Sequence, residues 1–380
     1  MPIYKVNGVK KDGLQKYKVR INFVSDDGIS RQLTRTAFGS DEAKDLERKL
    51  TDEVKAKIEN PFAKMTIQQL FDRFIKVKQH EIRESSLERY ERSFRLHILP
   101  TMAKAKINNL STSLLEEWKL HMESKGLSIK SKKHTYGDFR AILNYAAKME
   151  YIPNNPLLKI GNFKDTILMK KEMSIYTAEQ FSNFISTARQ IAEQRQLKYH
   201  DLSEWDYYVF FNIAFYTGLR KGEIHALKWT DKEGSLLHVR RSITQKLKGE
   251  DRETAPKNIT SIRTLQIPTP LMTVLIEHKK RQELLEHFTD DCRICGGERS
   301  LRDTSLQNRS KQYATLAGLN IINIHSFRHS HVSVLANEGI NIQEIARRLG
   351  HARVEMTWNT YSHLYPREEE KAVDVLNKIA

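Results

Sequence analysis

Six residues in the C-terminal half of the chain have side chains suited to phosphodiester chemistry. In sequence order they are Arg220, Lys257, His325, Arg328, His351 and Tyr361. A phosphorus atom attacked by a hydroxyl gains negative charge, so the reaction needs cations around the phosphate, a proton donor for the leaving oxygen and a nucleophile close by. This set supplies all three requirements, and it needs no metal ion or other cofactor to do so.

The six residues stand in short motifs that follow one another in a fixed order. These include TGLRKGE around Arg220, HSFRH around Arg328 and LGH ending at His351. Each motif alone is weak, but together they resemble the catalytic pattern of the tyrosine recombinases, the family that includes bacteriophage integrases and Xer-type resolvases. The resemblance implies a site-specific recombinase that cuts and rejoins DNA through a 3′-phosphotyrosine intermediate.

The arginines and histidines of the set are predicted to surround the phosphate. Two planar guanidinium groups can bind both non-bridging oxygens of one phosphate, so Arg220 and Arg328 form the predicted clamp. Glu223 either orients Arg220 through a charge-assisted hydrogen bond or is an acid favoured at a helix start. The resemblance implies that His325 and His351 bond the scissile phosphate and assist proton movement.

The proton donor and the nucleophile each have rivals nearby. Lys257 resembles the β-hairpin lysine that protonates the leaving 5′ oxygen in the family, but Lys246 and Lys248 come from the same loop region. Tyr361 is the predicted nucleophile, since its distance from the LGH motif matches the family. Tyr365 lies one helical turn later and is the alternative.

Four further residues of reactive types are predicted to be structural. His329 and His331 fall off the catalytic face of their helix or have no counterpart in the family pattern. Cys292 and Cys295 form half of a zinc site, and no second cysteine pair or close histidine pair completes it. We expect two free thiols in a loop or at a strand edge, followed by a turn at the adjacent glycines, and no metal.

Composition favours a nucleic acid partner. The 380 residues suffice for two or three domains, and 39% hydrophobic with 29% charged residues is typical of a globular protein. A net charge of +16 favours double-stranded DNA, although a basic balance can also serve only solubility. No apolar run is long enough to span a membrane and the N-terminus lacks a secretion signal, which predicts a cytoplasmic, DNA-associated protein.

Residues 1–60 are predicted to form a small β-sheet domain followed by a charged helix. The alternation at residues 17–23 and the turn before residue 30 predict strands, whose polar face carries Lys16, Lys18 and Arg20. The domain resembles the arm-type DNA-binding domain of many phage and conjugative-element integrases. The alternative is a solvated edge strand.

Residues 64–155 show helical periodicity and resemble the SAM-like core-binding domain of the family. Basic residues near predicted helix starts are candidate phosphate contacts, although any one of them alone is more typical of a surface charge. They are Arg83, Arg89, Lys130, Lys132 and Lys133. A linker is predicted at 156–171 because that stretch has little periodicity.

Residues 172–380 are predicted to form the catalytic domain, which is mainly helical with a small antiparallel sheet and ends in an amphipathic tail helix. The tail packs on its own domain or on a neighbouring subunit. The predicted fold class is therefore α+β and multidomain.

The predicted activity is integration and excision of a phage or mobile element. The family implies a homotetramer on DNA, with an excisionase and a DNA-bending host protein as possible partners. An Xer-like resolvase, a type IB topoisomerase-like enzyme and a non-catalytic DNA-binding regulator are the alternatives. The N-terminal domain disfavours the first, and the LGH motif disfavours the second. A non-catalytic DNA-binding regulator would leave the catalytic set of residues unexplained.

Overall fold

The computed structural model forms two compact units, Met1–Met169 and Lys170–Ala380. The structure describes residues 3–24, 30–58, 62, 64–165, 173–245, 251–254, 261–365, 373, 376 and 377. The fold is mixed α+β and mostly helical, with small antiparallel sheets, as the sequence predicts. The predicted tail helix lies mostly outside the described residues.

The first unit begins with a three-stranded antiparallel sheet. Its strands are β1 (Ile3–Lys11), β2 (Leu14–Val24) and β3 (Ser30–Phe38), in the order β1-β2-β3. Helix α1 (Ser40–Ile58) packs on one face, where Val19, Ala37, Ala43 and Leu50 form a small core. Because side chains alternate along a strand, the basic residues that alternate with Val19 on β2 point to the other face.

A helical bundle with its own core completes the first unit. Its helices are α2 (Ile67–Lys78), α3 (Glu84–Ser93), which continues into a π-helical turn (Phe94–Ile98), α4 (Leu99–Met102), α5 (Thr112–Ser124), α6 (Ile129–Lys148) and α7 (Leu157–Ile160). Trp118, Phe94 and Phe139 meet edge to face at its centre. Thr66 caps α2 in a reciprocal pair with Gln69, which satisfies backbone groups that the first helical turn leaves unpaired.

The first part of the predicted linker, residues 157–163, is packed against the helical bundle. Leu157 and Phe163 are buried in the core of the helical bundle, and Tyr136 donates a hydrogen bond to the carbonyl of Leu157. Residues 157–163 therefore pack into the bundle although their periodicity is too short to reveal it. Residues 166–171 of the predicted linker lie outside the described residues.

The second unit is built around the apolar helix α9. Its elements are α8 (Ala178–Tyr199), α9 (Ser203–Thr217), α10 (Lys221–Ala226), β4 (Lys232–Glu233), β5 (Leu236–Val239), β6 (Ser242–Thr244), β7 (Arg252–Thr254), β8 (Arg263–Gln266), α11 (Thr269–Gln282), α12 (Asp303–Leu316), α13 (Ser326–Asn337), α14 (Ile342–Leu349) and α15 (Val354–Tyr361). Helix α9 is apolar around most of its circumference, as expected for a helix packed between others. Phe211 on α9 contacts Phe184 and Phe327 from two neighbouring helices.

The strands form two small sheets, ordered β4-β5-β8 and β6-β7. The sequence of residues 236–244 predicts a single strand. In the structure this stretch is interrupted at Arg240 and Arg241, which both form ion pairs with the buried Asp231. Strand β6 pairs with β7, which the sequence analysis did not predict.

Helices α13, α14 and α15 pack together in a separate small core that contains Tyr361. Val332, Ala336, Ile345 and Leu349 surround this tyrosine. The packing therefore holds residues of three helices within one cluster.

The two cysteines are free thiols, buried in a turn-rich segment of the second unit. Gly296 and Gly297 follow with positive φ angles of 97° and 64°, which agrees with the predicted turn. Across the described residues, no group of histidine, cysteine and acidic side chains has the arrangement of a metal site, and no helix there has the length and apolarity to cross a membrane.

Candidate active site

Arg220 is positioned by the sharp turn between α9 and α10. Gly218 follows the last residue of α9 as its C-cap, and its φ of 63° lies in the left-handed region. A Cβ at Gly218 would stand 2.6 Å from the ring of His331, so a larger residue would be both strained and in collision. Glycine thus allows the chain to reverse here, and Arg220 follows at the start of α10 with 38% of its side chain exposed.

Glu223 holds Arg220 through two hydrogen bonds. Its carboxylate accepts from the backbone N–H of Arg220 at 3.0 Å and from Nη1 of the same residue at 3.0 Å. Burial alone would raise the pKa of Glu223, but hydrogen bonds and charge from Arg263 and Arg220 outweigh burial and hold the pKa below its ordinary value. Glu223 is therefore ionised at neutral pH, and it serves both as a helix-start acid and as a partner of the guanidinium.

Arg263 is a third arginine of the cluster that the sequence analysis did not identify. Its Nη2 lies 2.9 Å from Oε2 of Glu223, and its Nε donates to the carbonyl of Arg348 at 2.6 Å. No local signal in β8 distinguishes this arginine.

Arg328 is buried, with 3% of the residue exposed, and its orientation is set by backbone carbonyls. Nη1 donates to the carbonyl of Gly218 at 2.7 Å, and Nη2 donates to that of Leu349 at 2.9 Å. Burial and the charge of Arg220 lower the pKa of Arg328 to about 9, which leaves it charged at neutral pH.

The carbonyl groups that hold the arginines lie at helix C-termini. The carbonyl of Leu349, the last residue of α14, accepts from Arg328 and also from Nη1 of Arg220 at 3.4 Å. The last carbonyls of a helix have no partner within the helix and carry the negative end of its dipole. The end of α14 therefore satisfies its own carbonyls while it brings Arg220 and Arg328 together.

His351 has both ring nitrogens engaged. Nε2 lies 2.8 Å from Nη2 of Arg328, and Nδ1 lies 2.8 Å from Oγ1 of Thr357. Since arginine can only donate, Nε2 accepts, and we assign the ring proton to Nδ1. Burial and the charge of Arg328 lower the pKa of His351 to about 4, so the ring is neutral at pH 7.

The hydroxyl of Tyr361 contacts His329, a residue that is predicted to be structural. The Tyr361 oxygen lies 2.6 Å from Nδ1 of His329. The ring of His325 stands perpendicular to that of His329, with centroids 4.8 Å apart. His325 and His329 are four residues apart, so they share a helix face, and this spacing was the overlooked signal.

Burial shifts the pKa values of this pair in opposite directions. The pKa of Tyr361 is raised to about 12, mainly by burial. The pKa of His329 is lowered to about 4 by burial and by the neighbouring His325 and Arg328. At neutral pH the tyrosine is protonated and the histidine neutral. We assign the ring proton of His329 to Nε2, so that Nδ1 accepts a hydrogen bond from the Tyr361 hydroxyl.

Tyr365, the alternative nucleophile, and His331 bond other partners than the pair of Tyr361 and His329. Tyr365 donates its hydroxyl to the carbonyl of Ile340 at 3.1 Å. His331 is buried and bonds the carbonyl of Phe215 through Nδ1 at 2.7 Å, a packing arrangement that agrees with the structural role predicted for it. Lys246, Lys248 and Lys257 lie outside the described residues.

The basic residues predicted on the N-terminal sheet share one face of β2. Lys18 is exposed, and Lys16 and Arg20 are half-buried on the face opposite α1. The guanidinium of Arg20 lies 5.3 Å from the ring centroid of Tyr4, which is itself exposed. The face therefore combines cations with an aromatic ring.

Arg89 and Lys132 are basic residues of the helical bundle with carboxylate partners. Arg89 pairs with Asp138, and Lys132 pairs with Glu123. Arg83 precedes α3, and Lys130 and Lys133 lie on the first turns of α6; of these three, Arg83 and Lys130 are exposed and Lys133 is half-buried.

The mainly helical fold and its cluster of arginines, histidines and a tyrosine define a protein of the tyrosine recombinase class. Residues 177–368 match the phage integrase family, and residues 66–122 match the phage integrase N-terminal SAM-like domain. Since the first match spans half of the chain, the chain belongs to the phage integrase family and is a site-specific recombination enzyme.

Individual relatives agree with this assignment. The chain is 31% identical over 291 residues to the ICEBs1 integrase of Bacillus subtilis (strain 168), covering 74% of this chain and 75% of the relative. The Tn1549 transposon integrase, solved in complex with transposon right end DNA, superposes with a TM-score of 0.66 at 20% identity over 83% of this chain and all of the other. A lambda integrase tetramer bound to a Holliday junction superposes with a TM-score of 0.55 at 17% identity, covering 93% and 96% of the two chains.

Proposed function

We propose that this protein integrates and excises a mobile DNA element by attack of Tyr361 on the phosphorus of a specific phosphodiester. The attack leaves a 3′-phosphotyrosine and a free 5′ hydroxyl. The observation that carries the proposal is the position of the Tyr361 hydroxyl, which is bonded to the helix that also supplies the buried Arg328. A nucleophile and a fixed cation thus face one site.

Arg220 and Arg328 form the phosphate clamp in this proposal. The guanidinium of an arginine carries five N–H donors. Within the described part of the chain, Nη1 is the only guanidinium nitrogen of Arg220 that donates a hydrogen bond, and its acceptors are Glu223 and the carbonyl of Leu349. Its Nε and Nη2 are free to bind a non-bridging oxygen, and its side chain is open to solvent. Arg328 adds a charge whose orientation is already set by Gly218 and Leu349, so little reorganisation accompanies phosphate binding.

The cleavage step conserves the energy of the phosphodiester. As the bond from the Tyr361 oxygen to phosphorus forms, the bond from phosphorus to the 5′ oxygen breaks, and the tyrosine loses its proton. The leaving oxygen takes up a proton, and we assign Lys257 as the donor of that proton. The 5′ hydroxyl of a partner strand can then reverse the step, so rejoining consumes no nucleotide.

The domains divide the DNA contacts in this proposal. Residues 1–60 bind arm-type sites through the face of Lys16, Lys18 and Arg20, residues 64–155 hold one side of the crossover core, and residues 172–380 carry the chemistry. The separate cores of the sheet and the helical bundle support this division.

The active assembly is a homotetramer on paired DNA sites, aided by an excisionase and a DNA-bending host protein. Support for the tetramer comes from the lambda integrase tetramer bound to a Holliday junction. Support for a mobile element comes from the Tn1549 transposon integrase, and the ICEBs1 integrase supports the integrase activity.

The test uses a nicked duplex that carries the attachment core of the element, with neither metal nor nucleotide added. Cleavage lets a short 5′-hydroxyl fragment diffuse away and traps the covalent complex. We expect a denaturation-resistant protein–DNA adduct with wild type and with Tyr365→Phe, and none with Tyr361→Phe. Intact binding without any wild-type adduct would contradict the proposal and favour a DNA-binding regulator.

A further inference from the structure

The contact between Tyr361 and His329 links the proposed nucleophile to a side chain to which nothing above assigns a catalytic role. The 2.6 Å separation is that of a hydrogen bond between a hydroxyl and a ring nitrogen. His329 lies on α13 and Tyr361 is the last residue of α15, so tertiary packing alone creates the pair.

We propose that His329 accepts the proton of the Tyr361 hydroxyl during strand cleavage and returns it during rejoining. The proposal rests on the function proposed above, in which Tyr361 attacks the phosphorus. In the forward step the O–H electron pair of Tyr361 forms the new O–P bond, and the proton moves to the lone pair of Nδ1. The P–O5′ electron pair leaves with the 5′ oxygen, which is protonated separately.

The other two histidines of the cluster fit this role less well. Both nitrogens of His351 are engaged, and protonation of Nε2 would break its bond to Arg328 and place two cations 2.8 Å apart. His325 contacts His329 through its ring and makes no hydrogen bond to Tyr361. His325 is exposed, which leaves it available to the phosphate.

The protonation states before attack suit such a transfer. His329 is neutral at pH 7, so its Nδ1 can accept, and burial keeps Tyr361 protonated until the acceptor acts. Within the described residues, the titratable and charged groups that face His329 are His325, Arg328 and Tyr361. A bound phosphate adds negative charge beside them and raises the pKa of His329 toward the value that an acceptor needs.

The proton-acceptor role is distinguishable from a purely structural one. In His329→Ala the tyrosine loses its acceptor, whereas in His329→Asn an amide oxygen near the position of Nδ1 can keep the hydrogen bond but cannot take up a proton at neutral pH. Added imidazole is a small proton acceptor that can enter the space left in His329→Ala. His287, an exposed residue of the same unit, provides the matched control His287→Ala.

We expect both His329 variants to bind the nicked duplex as wild type does and to form the adduct about 100-fold or more slowly at pH 7. Imidazole should accelerate His329→Ala and leave His287→Ala unchanged. The adduct rate of His329→Ala should rise in proportion to hydroxide concentration, because solvent must then remove the proton.

The proposal is overturned if His329→Asn forms the adduct at the wild-type rate, since orientation would then suffice. It is also overturned if imidazole has no effect on a folded His329→Ala protein. A wild-type protein that forms no adduct would instead overturn the proposed function, so the two failures are separable.

Discussion

Arg263 and Glu223 form a buried ion pair, with Nη2 2.9 Å from Oε2 and only 5% and 4% of the side chains exposed. The same carboxylate also bonds Arg220, so one buried acid joins a fixed arginine to the arginine proposed to bind phosphate. Loss of one partner of a buried pair leaves a charge without compensation. Glu223 therefore connects stability with the orientation of Arg220.

The first prediction concerns stability. Glu223→Ala should lower the free energy of unfolding by about 3–5 kcal/mol, because Arg263 would remain buried without its partner. Urea denaturation followed by circular dichroism measures this change. The control is Glu344→Ala, which breaks the exposed pair with Arg347 and should cost less than about 1 kcal/mol. Equal losses of unfolding free energy in Glu223→Ala and Glu344→Ala would contradict the view that burial makes the pair of Glu223 and Arg263 important for stability.

The second prediction concerns the clamp. Arg220→Lys retains the charge but loses the planar fork, so cleavage of the nicked duplex should fall on the order of 100-fold with little change in DNA affinity. Adduct formation and a gel-shift titration measure the two effects. Lys228→Arg, at a half-buried residue of the same unit outside the cluster, is the control. An Arg220→Lys protein with wild-type cleavage would exclude a bidentate role.

The third prediction concerns pH. Burial and the charge of Arg348 lower the pKa of His331 from the ordinary 6.5 to about 3, so the unfolded chain binds a proton that the folded chain excludes between these values. Stability from this group is therefore present above pH 6.5 and is lost as the pH falls through that window. His331→Asn should reduce the slope of unfolding free energy against pH by at most about 1.4 kcal/mol per pH unit.

The measurement is a set of denaturation curves between pH 6.5 and 4.5, within which carboxylates contribute equally to both proteins. Asparagine can still donate to the carbonyl of Phe215, which limits the loss of the native contact. Parallel pH profiles for wild type and variant would show that His331 does not bind a proton on unfolding.

The fourth prediction concerns the basic face of the N-terminal sheet. Lys18→Gln should weaken binding to arm-type DNA and reduce the slope of log affinity against log salt by about 0.9 if one phosphate contact is lost. Lys49→Gln is the control, since Lys49 is exposed on α1, which covers the opposite face. Binding isotherms at several salt concentrations measure this slope for wild type, Lys18→Gln and Lys49→Gln. Equal slopes of log affinity against log salt in the three proteins would show that Lys18 lies on a solvated face that does not contact DNA.

The amino-acid sequence by itself determined the family, the fold class and most of the long elements. Early acids and later lysines predict a charged helix from Ser40 to about Ile58, and α1 has these bounds. The apolar stretch 205–216 predicts a buried helix, and α9 begins two residues earlier and ends one residue later. These features depend on periodicity, caps and breakers, which are local properties of the chain. The order of the arginine, histidine and tyrosine motifs is likewise a property of the sequence alone.

Tertiary structure alone decided which side chains meet. Nothing local indicates that Arg263 joins Glu223, that the end of α14 orients two arginines, or that Tyr361 contacts His329 in preference to His351. These partners are 21 to 129 residues apart, and they come together only when helices and strands pack. Hydrogen bonds depend on tenths of an ångström in that packing, and sequence spacing carries no information at that scale.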